Sequence, residues 1–443
     1  MQKLSRSMTL FDVVCLGING TVGVGIFLLP GQIAALVGPG AILIYLFCGL
    51  LCLAIALCFA EMGGIYQQTG GAYLYARDAF GPLIGFMVGW MIWLSAIIGW
   101  ATMANGLLLY LRYFSPSLSE GWLAEIIIVV LILGLSILNF FGVKIGARTI
   151  NFFTISKLIP IFIFVTWGLF HIKASSLGPI FTLDVQNIGE AIVIALFAYT
   201  GFEHMSVPAG EMKKPRKDIP IAFFLIILGV TLIYTLVQTV ATGTFPGLAQ
   251  SEKPLADAAS SFLGSTGGIL IAIGALLAIA GVNSGIALTG PRNLYALSID
   301  GFLPKMFSKI HPKFHTPYIA ISVNAFLTLV LSLTGTFKHL VIASVLVSLL
   351  QYIPTCLAVI VLRRKRPNAP RSYTIPGRYI IPCLGLLTCF WLLFQVKLIV
   401  IIMTFAGIIL SLPFYFLRKK KRSSMKTQTR NFLTNNDKKR KFN

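Results

Sequence analysis

The chain has 443 residues, of which 56% are apolar and only 11% are Asp, Glu, Lys or Arg. Soluble globular domains carry about 25% charged residues, so this chain has too few to cover a water-facing surface, while its apolar content excludes intrinsic disorder. Basic residues number 36 against 14 acidic ones, a formal charge of +22, which in so apolar a chain fits an anionic membrane face and not nucleic acid.

A bilayer core is spanned by roughly 20 apolar residues of helix. Runs of that kind are read at about 10–36, 40–61, 82–112, 122–142, 149–171, 188–208, 220–243, 266–298, 317–335, 338–362, 379–396 and 398–417. This predicts an all-α integral membrane protein of about twelve spans. The first run is too long for the apolar region of a cleaved leader, and no A-x-A site follows it. If the N-terminus is cytoplasmic, 31 of the 36 basic residues fall on the inside of this register, leaving Arg112, Lys173, Lys253, Lys338 and Lys397 outside. Such a bias fixes an orientation with both termini in the cytoplasm. The division expected is a cytoplasmic N-terminus (1–9), a first group of five spans (10–171), a second group of five (188–362), two further spans (379–417) and a basic cytoplasmic tail (418–443). The tail is read as resting on anionic lipid, at about 1 kcal/mol per Lys or Arg near the surface.

The first span holds Gly17, Gly20, Gly23 and Gly25 within nine residues, followed by Pro30 and Gly31. Each glycine weakens a helix by about 1 kcal/mol relative to Ala. The sixth span carries Phe197-Ala198-Tyr199-Thr200-Gly201-Phe202-Glu203 at a comparable depth. Irregular backbone within a membrane is tolerated only where it is buried or lines a cavity. Interrupted segments at matching positions of two inverted halves mark a transporter's binding site. Unwinding around Gly23–Ile26 would expose amides beside a positive half-helix end, suited to a carboxylate. Unwinding around Phe197–Gly201 would expose carbonyl oxygens suited to an ammonium group. Close helix packing is the alternative use of such glycines, and it is the one expected for Gly81, Gly85 and Gly89.

Ionisable residues inside spans are rare and each has a candidate role. Lys157 lies nine residues beyond Arg148, roughly 13 Å along a helix, so its stem barely reaches the interface. A lysine held away from water can gain and lose a proton within a transport cycle; a fixed partner to helix carbonyls is the plainer role. Glu203 could carry a proton or anchor the broken helix, and His204 beside it could relay one. Asp12 and Glu61 read as interface or gate residues. The seven cysteines all lie in apolar runs with no C-x-x-C pair and read as small hydrophobes. No nucleophile, metal-ligand or nucleotide motif is present, so neither an enzyme nor a metal site is expected.

Taken in order, several motifs resemble those of the amino acid–polyamine–organocation permeases. They are Gly23-Val24-Gly25-Ile26-Phe27 with Pro30, Gly70-Gly71-Ala72-Tyr73-Leu74-Tyr75, Phe197 to Glu203, Glu211-Met212-Lys213-Lys214-Pro215, Asn283-Ser284-Gly285 with Arg292, and Asp300-Gly301-Phe302-Leu303-Pro304. The resemblance implies a LeuT-type fold, a five-plus-five inverted repeat with broken first and sixth helices and two extra C-terminal helices. It further implies a secondary amino acid transporter in the cell membrane, with no cofactor beyond a proton gradient. Carried over residue by residue, it assigns the substrate carboxylate to Gly23, Val24, Gly25 and Ile26 with Thr21 beside them, and the amino group to Phe197, Ala198, Tyr199 and Gly201 with Thr200 and Phe202. Phe197 or Phe202 would gate the site, and Ser95, Ala96, Trp100 and Ile286 would line the side-chain pocket. Lys157 stands where sodium-coupled relatives hold a cation, which implies proton coupling. Val24 replaces the serine common between the first-span glycines, removing a hydroxyl but keeping the amides. The expected activity is proton-coupled uptake of a neutral amino acid, with an amino acid or amine exchanger of the same fold, or a non-transporting sensor, as the alternatives.

Overall fold

The computed structural model describes residues 4–111, 114–178, 187–334, 337–395, 409 and 411–416. Its helices are α1 (Leu10–Thr21), α2 (Val24–Val37), α3 (Ala41–Gly63), α4 (Ala72–Phe80), α5 (Pro82–Leu111), α6 (Gly121–Phe140), α7 (Val143–Gly168), α8 (Ala174–Leu177), α9 (Ile188–Tyr199), α10 (Pro215–Thr244), α11 (Pro254–Ile299), α12 (Tyr318–Thr334), α13 (Phe337–Lys365) and α14 (Ile380–Gln395). Among the described residues there is no strand, only an isolated parallel bridge between Met8 and Met212. Among the described residues, six helical stretches are long and apolar enough to cross a bilayer: 24–63, 82–108, 121–140, 143–171, 215–244 and 254–299. Most of the twelfth predicted span and all of the basic tail lie outside the described residues, as do Arg112 and Lys397.

The first predicted span is two helices. Thr9 opens α1 through a reciprocal cap, its amide donating to Asp12 Oδ2 at 2.7 Å and its hydroxyl accepting from the Asp12 amide. The chain then leaves helical geometry at Val22 (φ −79°, ψ 84°) and Gly23 (φ −115°, ψ −146°) before α2 begins. The sixth span breaks likewise. α9 ends at Tyr199, Thr200 is extended, and Gly201 sits at φ 111° ahead of a short 3-10 segment, Phe202–Ser206. A further interruption that the apolar pattern does not announce lies in α11, where Gly264 adopts φ 70°. The predicted start near 266 is therefore the start of the second part of a longer element.

α1 lies among α7, α10 and α11, while α9 packs on α2 and α3. Periodicity explains which faces turn inward. On α7, Ile150, Thr154, Lys157, Ile161 and Phe164 are buried, while Phe152, Ile155, Ile159 and Phe162 are exposed on the opposite side. An apolar outer stripe of that kind belongs against lipid tails. Of the glycines expected to serve packing, two do: a Cβ on Gly85 would stand 2.5 Å from Arg77 Cβ, and one on Gly89 2.7 Å from Leu297, whereas Gly81 has open space around it and instead caps α4 at φ 96°. Of the seven cysteines, none is in a disulfide, and all but Cys383 are buried.

Candidate functional site

The two breaks meet each other. A Cβ on Gly201 would lie 2.2 Å from the Gly20 carbonyl oxygen, and one on Gly20 would lie 2.7 Å from that of Gly201. The positive φ at Gly201 favours glycine independently of the crowding. Gly25 is close-packed too, with its missing Cβ 3.0 Å from Ala198 Cα and Cβ. Backbone thus faces backbone where α1 gives way to α2 and where α9 gives way to the 3-10 segment.

Between them lies a cavity of about 70 Å³, walled by the two breaks and by residues of α5, α11 and α13. Of the residues expected at a substrate site, Thr21, Gly23, Val24, Gly25, Phe197, Ala198, Thr200, Gly201, Ser95 and Ile286 line it, as does Glu203, expected as a proton carrier or helix anchor. Five do not. Ile26 is fully buried in the main core, one residue too far along α2 to face the gap. Tyr199 turns toward α3, its hydroxyl donating to the Tyr45 carbonyl at 2.9 Å. Phe202 is stacked on Tyr352 with ring centroids 5.6 Å apart, and it meets Phe59 edge-on. Ala96 and Trp100 pack with Ile128 and Ile132 in an apolar cluster that meets the cavity through Val282 and Ile286. Of the two aromatics considered as gates, Phe197 alone borders the cavity.

Several wall residues were not singled out from the sequence: Gly20, Gly99, Met103, Val282 and Ser348. Helical spacing held the signal for most of them. Ser95, Gly99 and Met103 follow one another at four-residue steps on α5, as Val282 and Ile286 do on α11, so choosing one member of each set implies the others.

The polar groups around the cavity are mainly backbone dipoles. Gly23 starts α2 with no side-chain cap, so the first amides of that helix lack both an intrahelical acceptor and a capping oxygen. The hydroxyls of Thr21 and Thr200 donate to the carbonyls of Gly17 (2.9 Å) and Phe197 (2.8 Å). Tyr234 of α10 ties the two breaks together, its hydroxyl lying 2.9 Å from both the Thr21 and the Ala198 carbonyl oxygens. One proton serves two acceptors, and each acceptor belongs to a different break.

Lys157 is fully buried, and its Nζ donates to the Asn19 carbonyl at 2.9 Å and the Val22 carbonyl at 2.6 Å. It occupies the negative end of α1, where freed carbonyls favour a cation. Among the described residues no carboxylate pairs with it, so its charge is held by neutral oxygens. Glu203 accepts from the Gly201 amide (2.9 Å), the Tyr352 hydroxyl (2.9 Å) and Gln351 Nε2 (3.0 Å). That geometry is an anchor for the second break. His204 also lines the cavity, and its Nδ1 is buried without a hydrogen-bond partner.

Beyond the breaks, the chain end before α1 is stitched to the segment after the second break. The amides of Ser7 and Met8 both donate to the Glu211 carbonyl at 3.0 Å, and Lys213 N donates to that of Met8 at 2.9 Å. The Glu211 carboxylate is in turn held by Arg292 Nε and Nη2, each at 3.0 Å, with both side chains fully buried. A bidentate pair of this kind fixes orientation as well as distance. Asp12 receives Asn151 Nδ2 at 2.6 Å, and Glu61 is bonded to Arg363 and to the Ile375 amide, so both acids act within a network at the ends of the helices. Among the described residues no cluster of side chains could hold a metal ion.

Comparison with known proteins identifies the family. The amino acid permease family matches residues 8–425. The chain is similar to the branched-chain amino acid permease BcaP of Bacillus subtilis (strain 168), at 28% identity over 96% of this chain and 95% of that one. The serine/threonine exchanger SteT of the same organism is 31% identical over 95% of this chain and 98% of its own length. A methylthioribose transporter from that bacterium is 28% identical over 95% of each. These relatives are transport proteins and not enzymes. With its motifs in order from Gly23 to Pro304 and its match running nearly end to end, the chain belongs to the amino acid permease family, a multi-pass membrane protein of the amino acid–polyamine–organocation superfamily.

Proposed function

We propose that this permease is a secondary active transporter taking up a small neutral amino acid with a proton, by alternating access across the cell membrane. The observation that carries the reading is the pair of breaks: an uncapped α2 N-terminus and the carbonyl-bearing end of α9 border one cavity. A zwitterion satisfies both ends at once, with the carboxylate on amides around Gly23–Gly25 and the ammonium on carbonyls around Phe197–Thr200. Small size follows from the space. A water occupies roughly 10–15 Å³ of such volume, so about 70 Å³ suits a ligand of few non-hydrogen atoms. Neutrality follows from the wall, where the one carboxylate, Glu203, is already engaged by three donors and Met103, Val282 and Ile286 are apolar.

In this mechanism Lys157 is the proton carrier. Charged, it bonds the carbonyls of Asn19 and Val22; neutral, it loses the charge-assisted part of that grip, which loosens its hold on the end of α1. Burial without a carboxylate partner makes the charged form costly to retain, which supports exchange of the proton during a cycle. The wider frame proposed is a twelve-span five-plus-five inverted repeat with both termini in the cytoplasm and the basic tail on anionic lipid.

Labelled amino acids presented to proteoliposomes, with and without an inward proton gradient, test this directly. Accumulation of a neutral amino acid above its external concentration only when the gradient is imposed is the expected result. Absence of accumulation for every amino acid tried overturns it. Uptake that needs an internal amino acid and ignores the gradient would establish exchange, the second reading, which the similarity to a serine/threonine exchanger favours.

A further inference from the structure

Three arginines from three separate elements converge on a second cavity, which shares no lining residue with the first. This space of about 370 Å³ is bordered by Arg77 and Asp78 of α4, Arg216 at the start of α10, Arg366 just past α13, and the loop after α3 through Tyr66 and Gln68. Its acid is already spent. Asp78 accepts from Arg77 Nε at 3.0 Å, Arg366 Nη1 at 2.7 Å and the Tyr66 hydroxyl at 3.1 Å. Arg77 reaches Asp300 as well. The neighbouring basic groups are committed elsewhere: Arg363 to Glu61, and Lys365 Nζ to the Ala79 carbonyl at 2.9 Å. Arg216 differs. Among the described residues its guanidinium has no acidic partner, although it borders the same cavity.

We propose that this cavity binds a phosphate ester anion, with Arg216 as its principal ligand and Arg366 beside it. The guanidinium fork matches phosphate oxygens in a bidentate manner, and Gln67 and Gln68 add amide donors at the rim. The three lining arginines face two carboxylates, Asp78 and Asp300, which leaves one positive charge, and a bound anion offsets it. Position favours a phospholipid headgroup as the source. The cavity lies where α3 ends, α10 begins and α13 ends, the level at which helices emerge from the hydrocarbon and basic pockets meet headgroups. This site is separate from the basic tail and independent of the transport reading.

The test is native mass spectrometry of the full-length protein in detergent, titrated with phosphatidylglycerol, with phosphatidylcholine and with glycerol 3-phosphate, for the wild type, Arg216→Gln and Arg216→Lys. The tail is identical in all three proteins, so any difference between them arises elsewhere. Phosphatidylglycerol should bind in preference to phosphatidylcholine, and Arg216→Gln should weaken it about fivefold, with Arg216→Lys in between. Glycerol 3-phosphate bound by the wild type and lost in Arg216→Gln would assign the same site to a soluble ester. Equal binding of all these ligands by wild type and Arg216→Gln overturns the proposal, as does wild-type protein that neither prefers phosphatidylglycerol nor binds glycerol 3-phosphate. Amino acid uptake by Arg216→Gln at the wild-type rate serves as the control for folding.

Discussion

Replacing Tyr234 with Phe removes one oxygen and leaves the ring. That oxygen lies 2.9 Å from the Thr21 carbonyl and 2.9 Å from the Ala198 carbonyl, in a fully buried position. The ring itself packs edge-on against Tyr45 and Tyr199, with centroids 5.7 and 5.1 Å away, and those contacts survive. A buried polar group stripped of its partner costs about 1–3 kcal/mol. Both carbonyls are stripped, but one hydroxyl proton served the pair, so the effect belongs in that range and not at twice it. If the hydroxyl holds the two breaks in their substrate-ready arrangement, the loss falls on the competent fraction, and affinity drops roughly five- to 150-fold. Equilibrium binding of the transported amino acid to purified protein measures this, with thermal unfolding recorded alongside. A Tyr234→Phe protein that is folded and binds within twofold of wild type would refute the reasoning, since the bridge would then have no part in shaping the site.

The remaining predictions concern the proton and the pocket. Lys157→Ala should abolish gradient-driven accumulation while the protein remains folded in the membrane; accumulation at the normal rate would remove Lys157 from the mechanism. Glu203→Gln should keep coupled uptake, because Glu203 is already engaged by the Gly201 amide, Tyr352 and Gln351. Uptake in that variant that no longer responds to the gradient would return Glu203 to the proton path. Met103→Ala removes bulk from the apolar side of the cavity, so competition assays should show larger neutral amino acids gaining at least several-fold relative to the smallest ones; an unchanged order of preference would place the side chain of the substrate elsewhere.

The breaks were legible because their composition departs from everything around them. Four glycines in nine residues weaken a membrane helix, although only Gly23 falls at the break itself, and Gly201 before Glu203 marks the second position. Ile26, Tyr199 and Phe202 lie outside the cavity wall for a simple reason: each belongs to a contiguous motif, and a helix turns only part of such a motif toward a gap. Trp100 likewise lies one residue beyond Gly99, which does face the cavity. Tyr234 gave no local signal, being a single tyrosine in an apolar helix whose partners lie 213 and 36 residues away in sequence. α4 escaped the hydropathy pattern because it is short, at nine residues, and carries Arg77 and Asp78. Lys157 was found as a buried charge, but its bonds to the Asn19 and Val22 carbonyls depend on where α1 lets go, which only three dimensions reveal.

The central claim is that main-chain dipoles at the two breaks grip both charged ends of one small molecule. Competition against the transported amino acid by two analogues tests it most directly, one lacking the carboxylate (the corresponding primary amine) and one lacking the amino group (the corresponding carboxylic acid). Each analogue should compete at least a hundredfold more weakly than the parent amino acid, because each leaves one set of dipoles without its counter-charge. Either analogue competing as well as the parent would contradict the claim.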